Sequence, residues 1–319
     1  MIVLLKSEDD DYFVNITEWL NHFKANYYII DLENISINLF EIHFKNNSLT
    51  ISINHNKFNC SFDEVSTFFY RSGEILIKIL NESSSPFNLN VANLYLQLEQ
   101  ETLIDFIYSE IRKKSFGYIE RNPLNKLKQL RMAQEFGLKI PETLITSNKE
   151  TVNNIFKASR IVNKAIQENI FTKHSNVFFI QRVEEIENKK LKNNYSSSLF
   201  QSSLDKLIEI RTFFLINRFY SIGFYSSEKS VDMRETYSFQ NHFKIILPEK
   251  IEQQLTSLMN RLNLLSGSID LILSKNGDYY FLEINTQGQY DWVSKLGGYN
   301  LDFLISEHLI NRENEYIRT

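Results

Sequence analysis

Two carboxylates and an amide near the end of the chain have types and spacing that could do chemistry: Asp270, Glu283 and Asn285. Between them lies Asn276-Gly277, a dipeptide that favours a tight hairpin because a type I′ turn needs positive φ at both central residues. A two-residue turn there pairs Lys275 with Asp278, and counting outwards sets Asp270 directly opposite Glu283. Asn285 then shares the face of Glu283. Carboxylates facing each other at roughly 4.5–5.5 Å between Cβ atoms repel, and weaken the sheet unless a positive charge lies between them. A hard cation removes that repulsion, and two carboxylates plus an amide oxygen suit Mg²⁺ that is also bridged to phosphates. Without a cation, the hairpin is expected to be weakened. Ile269, Leu271 and Leu273 fall on the opposite face and should hold it to a core. The plainer explanation is a solvent-facing strand pair on which two acids meet by chance.

The pattern of Asp270 followed by Phe281-Leu282-Glu283-Ile284-Asn285 resembles the metal-binding strands of ATP-grasp enzymes. Upstream, Lys164 in Ile161-Val162-Asn163-Lys164 is similar to that family's strand lysine on the α- and β-phosphates, and Lys126 to its earlier phosphate lysine. A lysine suits the role as a point charge on a long stem. Most lysines are merely solvated, so their order ahead of the acidic hairpin is what counts. The resemblance also implies that Phe200-Gln201 belongs to the segment joining two lobes, and that the backbone near Ser203 and Leu204 reads adenine. Asp205 or Lys206 would lie near the ribose. The family's glycine-rich phosphate flap has no counterpart after Lys164, where residues 165–169 must serve.

A narrower resemblance covers nearly the whole chain. Ser7-Glu8-Asp9-Asp10 before Trp19-Leu20, Tyr70-Arg71, Asn125-Lys126, Gln129-Leu130 and Thr143-Leu144-Ile145-Thr146 occur in the order found in the ATP-grasp maturases of graspetides, the microviridin-type peptides. Glu209-Ile210-Arg211, Asp232-Met233-Arg234, and Gly288-Gln289 with Trp292 follow in the same order. Two departures are Ser72 after Tyr70-Arg71, where an arginine is usual, and Thr286 after Asn285, where a proline is usual.

This resemblance implies an ADP-forming ligase that uses ATP and Mg²⁺ on a ribosomally made precursor peptide with leader and core. A Glu or Asp side chain would become an acyl phosphate, and a Thr or Ser hydroxyl or a Lys amine would then displace phosphate, closing an ester or amide ring. Arg211 and Arg234 are candidates for gripping the carboxylate or acyl phosphate, because a planar fork matches both. Asp232 would orient Arg234 or assist the nucleophile. An ordinary exposed ion pair is the plain alternative for these three. The resemblance also suggests a homodimer. Two other functions fit the same fold: a ligase adding a free amino acid to a carboxylate, and a nucleotide-gated peptide-binding module without turnover. A small Thr- and Glu/Asp-rich reading frame beside the gene would separate the macrocyclase from the free-amino-acid ligase.

The elements that must position these residues are legible from periodicity. The first third reads as α/β: an apolar run at Ile2, helical spacing of Ile16, Trp19, Leu20 and Phe23, then a strand at Tyr27. A hairpin around Asn46-Asn47, a strand to Tyr70 and a long amphipathic helix to Lys114 follow. Pro123 can open a helix that ends at Gly137. Short strands are expected at residues 143–146, 160–164 and 177–181, then a loop over 184–198. Two hairpins dominate the last third, turning at Asn217-Arg218 and Asn276-Gly277, with helices after Pro248 and near Leu301 covering them. Domains are accordingly expected at 1–118 (a pre-ATP-grasp α/β domain), 119–203 (a central lobe) and 204–319 (a C-terminal lobe with the metal site), with nucleotide between the lobes.

With 319 residues and 43% hydrophobic content, the chain can build such domains around real cores. A net charge of −4 argues against nucleic acid as partner, since no basic excess is present to neutralise phosphates. Cys60 is the only cysteine, so neither an internal disulfide nor a cysteine-rich zinc site can form, and the six histidines show no ligand spacing. No apolar run approaches the roughly 18 residues of a membrane span. The expectation is a cytoplasmic protein with no membrane partner.

Overall fold

The apolar run at the start of the chain becomes a strand buried on both faces. In a computed structural model, which describes residues 1–7, 13–46, 48–55, 58–77, 89–119, 124–157, 160–166, 184–186, 194–225, 241–286 and 290–318, this strand is β1 (Ile2–Lys6). Helix α1 (Phe13–His22) leads to β2 (Tyr27–Asp31), which pairs with β1 in parallel. A separate antiparallel sheet follows, β3 (Phe40–Lys45), β4 (Ser48–His55) and β5 (Phe58–Ser61), with Lys45 opposite Ser48 across the expected hairpin. Strand β6 (Thr67–Tyr70) then returns to the other side of β1. Helix α2 (Leu89–Lys114) runs to β7 (Ser115–Phe116), which lies parallel to β6. Ile104, Ile107, Tyr108 and Ile111 of α2 bury against Val3, Leu5 and Phe68, the covering that a parallel sheet requires.

From residue 123 the chain builds a second compact unit, Pro123–Tyr299. Asn125 caps helix α3 (Lys126–Glu135), its Oδ1 accepting from the N–H groups of Leu127 and Lys128 at 3.0 and 3.2 Å. Strand β8 (Thr143–Asn148), helix α4 (Lys149–Phe156), β9 (Ile161–Lys164), β10 (Glu184–Ile186) and β11 (Asn194–Ser202) give a four-stranded antiparallel sheet in the order β10-β9-β11-β8. Its core is Val152, Phe156, Ile161 and Phe200. Two strands therefore enter the stretch 184–198, which its charge and Asn/Ser content had marked as loop; pairing with β8 and β9 overrides local propensity there. The strand expected at 177–181 lies outside the described residues.

The second sheet of this unit has five strands, in the order β14-β13-β12-β15-β16. They are β12 (Lys206–Leu215), β13 (Arg218–Tyr225), β14 (His242–Lys244), β15 (Ser266–Ser274) and β16 (Tyr279–Asn285), with helix α5 (Glu249–Arg261) between β14 and β15. Helix α6 (Asp291–Gly297) packs on β12, β13 and β14. The last helix, α7 (Leu301–Arg318), belongs to the first unit with Asn300–Thr319 instead of covering the hairpins. It packs on α1, where the Trp19 and Phe303 rings lie 5.0 Å apart edge to face. No helix among the described residues is long and apolar enough to cross a membrane.

Candidate active site

The β15–β16 hairpin sets Asp270 opposite Glu283, and Ser268 opposite Asn285. The route to that register differs from the expected one. The loop has three residues, Lys275-Asn276-Gly277. Ser274 N–H donates to Asp278 O at 2.9 Å and Gly277 N–H to Ser274 O at 3.0 Å. Only Gly277 has positive φ, at 84°, the pattern of a three-residue hairpin loop with glycine at the left-handed position. Leu273 consequently faces Tyr279, one residue out of step with a two-residue turn. Left uncorrected, that slip would set Leu282 opposite Asp270. A β-bulge between Asp270 and Leu271 absorbs Leu282 and restores the pair Asp270–Glu283. The positive φ at two central residues expected here occurs instead at Ile216-Asn217, with φ of 42° and 62°, where Leu215 faces Arg218.

Across β12, β15 and β16, Arg211, Asp270 and Glu283 form one row. Arg211 Nη1 pairs with Asp270 Oδ2, and its guanidinium lies over the Trp292 ring, 5.9 Å from the centroid. At the other end Lys126 Nζ lies 2.7 Å from Glu283 Oε2. Each carboxylate therefore has its own cation. The expectation that mutual repulsion dominates the hairpin is overturned, because Arg211 and Lys126 already offset it. Asp270 is 4% exposed, and its Oδ1 has no hydrogen-bond partner among the described residues.

Lys164 closes the cluster from β9. Burial first, opposed by Glu283 and aided by Lys126, Lys206 and Arg211, brings the pKa of its ammonium down to about 8. For Glu283 burial acts upward, yet Lys126, Lys164 and Arg211 outweigh it and hold the carboxyl below its ordinary value. Lys206 is paired at 2.9 Å with Glu209, which shares its strand with Arg211. Among the described residues no three His, Cys, Asp or Glu side chains gather as a metal cage. Two carboxylates and an amide are a donor set for Mg²⁺ completed by phosphates, and the orphaned buried oxygen of Asp270 fits such a cation.

No protein-family model matches the chain, and no curated protein matches it. Solved structures do. A RiPP-associated ATP-grasp ligase from Chryseobacterium gregarium, in complex with ADP and a leader and core peptide, superposes with TM-score 0.80 at 21% identity, over 98% of this chain and 96% of that one. The macrocyclase MdnC of Microcystis aeruginosa MRC, bound with precursor peptide MdnA, gives TM-score 0.75 at 22% identity over 98% and 100%. The ATP-grasp ligase PsnB, complexed with a precursor variant, Mg and ADP, gives 0.69 at 15% over 98% of each chain. The fold is that of the ATP-grasp ligases.

The remaining residues expected at the nucleotide are Gln201, near the end of β11, and Ser203, Leu204 and Asp205, between β11 and β12. Gln201 is buried, and its Nε2 donates to Thr143 Oγ1 at 3.0 Å. Ser203 N–H donates to Arg160 O, and Asp205 O accepts from Lys275 N–H, each at 2.9 Å. The Asp205 carboxylate lies 3.2 Å from Lys275 Nζ. Ser203 N–H is thus engaged, while Leu204 has no backbone hydrogen bond among the described residues. Asp232, Arg234, Gly288 and Gln289 lie outside the described residues. Sequence reasoning placed Gln129 only as part of a motif. Its side chain in fact bonds the backbone of β16 at Ile284, between Glu283 and Asn285; a polar residue on the buried face of α3 was the available signal.

Proposed function

We propose that this chain is an ATP-dependent, ADP-forming ligase that closes rings on a ribosomally made precursor peptide carrying leader and core. The observation that carries the reading is the row Lys126–Glu283–Asp270–Arg211 with Lys164 beside it, set in an ATP-grasp fold. The complexes of the neighbouring structures, with precursor peptide, ADP and Mg, support the choice of substrate and cofactors for this chain.

Asp270, Glu283 and Asn285 would hold Mg²⁺, which when bound supplies neutralising charge at the phosphates. Lys164 and Lys126 hold the polyphosphate as point charges, and the Leu204 backbone, which makes no hydrogen bond among the described residues, reads the adenine edge. Gln201, Ser203 and Asp205 shape that segment. Arg211, with Asp232 and Arg234, grips the peptide carboxylate. A Glu or Asp carboxylate oxygen of the peptide bonds to the γ-phosphorus as the bond to the β-phosphate bridging oxygen breaks, releasing ADP. A Thr or Ser hydroxyl, or a Lys amine, then bonds to the acyl carbon as phosphate leaves with the carboxyl oxygen, and the proton passes to solvent or phosphate. In this reading residues 119–203 are the central lobe, the sheet from residue 204 onwards is the C-terminal lobe, and residues 1–118 form the pre-ATP-grasp domain.

Peptide-dependent release of ADP tests the proposal. The Asp270→Asn variant should lose it, and nucleotide binding without any peptide-dependent turnover would instead favour a binding module. A homodimer belongs to the same reading. It is supported by Val91, Leu94, Tyr95 and Leu98 of α2, which are 64%, 57%, 61% and 53% exposed at helical spacing. Leu94→Glu should yield monomers in sedimentation; an unchanged sedimentation coefficient would exclude this helix as the contact.

A further inference from the structure

Strand β16 is the edge of its sheet, so the N–H and C=O groups on its outer side need partners other than a strand. Among the described residues they find them at two places. Phe281 N–H donates to Lys139 O at 2.8 Å. Three residues further on, Ile284 N–H donates to Gln129 Oε1 at 2.7 Å, and Gln129 Nε2 donates to Ile284 O at 3.2 Å. The Gln129 amide thus makes both bonds that a neighbouring strand residue would make. It also donates to Leu124 O at 2.9 Å, just ahead of the cap of α3, and it is 1% exposed. On a regular strand outward groups recur every second residue. Here Phe281 and Ile284 are three apart because the bulge at Leu282 lies between them.

A bulge can migrate, and a register slip of one residue turns every side chain to the other face. Carried through to Asn285, the register found near the turn would set Glu283 opposite Ile269 and on the wrong face. We propose that Gln129 is the positioning residue that pins this bulge. By satisfying Ile284 it fixes Glu283 opposite Asp270 and keeps Asn285 on the same face. One helical turn after Lys126, it also ties the phosphate lysine to the strand of the metal ligands. The proposal rests on the metal-site reading for its consequence, but not for its geometry.

Two readouts on the full chain test it. The first is metal-free. Ile269→Cys with Ile284→Cys places thiols on directly opposed positions, within reach of a disulfide, and Cys60, the only natural cysteine, is buried. The crosslink should form with Gln129 present and fail in Gln129→Met. The second is the factor by which Mg²⁺ strengthens ATP binding in calorimetry. Gln129→Met should reduce that factor about tenfold while ATP binding in EDTA, held by Lys126 and Lys164, changes less than about twofold; tenfold corresponds to about 1.4 kcal/mol. Gln129→Glu has the same shape and still accepts from Ile284, but faces two carbonyls without a donor. It should show the same losses, and decides the matter if Gln129→Met does not fold. Unchanged crosslinking and an unchanged Mg²⁺ factor in the folded variant would overturn the proposal. A parent protein whose ATP binding ignores Mg²⁺ would contradict the metal site itself, leaving the crosslink to judge the register lock.

Discussion

Lys164 has its pKa brought down to about 8 from 10.5, so its charge changes within the working range of many enzymes. Burial disfavours the ammonium, so the folded state bears that cost below pH 8. Stability is regained between about 8 and 10.5, where the unfolded chain still holds the proton and the folded one does not. A polyphosphate beside Lys164 favours the charged form. ATP binding at pH 8–9 should therefore take up a proton, seen as a binding enthalpy that depends on the ionisation enthalpy of the buffer, and affinity should fall above pH 8. Lys164→Met should weaken binding about tenfold or more at pH 7, as expected for loss of a charged contact of roughly 1.5–3 kcal/mol, and should abolish the uptake. Buffer-independent enthalpies in the parent would remove Lys164 from the phosphates. Glu283 gives the second prediction at this scale. Because Lys126 holds it at 2.7 Å with Lys164 and Arg211 acting on it, Glu283→Gln should lower the stability of the ligand-free protein by about 1–3 kcal/mol. A denaturation midpoint at or above the parent's would mean that repulsion from Asp270 prevails after all. The same variant should not ligate.

The hairpin of β15 and β16 shows how a register can be reached by two compensating departures. Gly277 takes positive φ, and a Cβ built there meets nothing within 4 Å. Gly277→Ala should then cost about 1–2 kcal/mol through backbone conformation alone, read from the urea midpoint, with ring closure retained. A variant as stable as the parent would show that another turn serves equally well. The two-residue turn expected at Asn276-Gly277 does not form, and Asp270 meets Glu283 only because the bulge cancels the longer loop; the alternation along each strand was legible, being a local property. The loop length and the bulge were not, because each depends on what the strand edge meets: Lys139 at Phe281 and Gln129 at Ile284. The ion pairs of Asp270 and Glu283 were hidden for a related reason. Arg211 comes from a neighbouring strand and Lys126 from a helix more than a hundred residues upstream. Strands β10 and β11, in a stretch rich in Asn and Ser, depend on pairing with β8 and β9 and carry little local signal. The helices α2, α3 and α5 were readable from spacing and flanking Gly and Pro residues.

At the scale of the whole molecule, the chain is mixed α/β as expected from the sequence, with β10, β11 and the placing of α7 as departures, and the ATP-grasp structures align over 98% of the chain. Mg²⁺ and ATP together should raise the melting temperature by mass action, worth about 2.7 kcal/mol at a hundredfold excess over the dissociation constant. Asp270→Asn should lose most of the part that depends on Mg²⁺, and a parent with no shift would not be binding nucleotide. Whether the protein closes rings is decided by mass spectrometry of a Thr- and Glu/Asp-rich peptide encoded beside its gene. After incubation with the protein, ATP and Mg²⁺, each ring formed by condensation should lower the peptide mass by one water, about 18 Da, with acyl transfer to an internal nucleophile. A peptide of unchanged mass, or one that gains the mass of a free amino acid, would contradict the account.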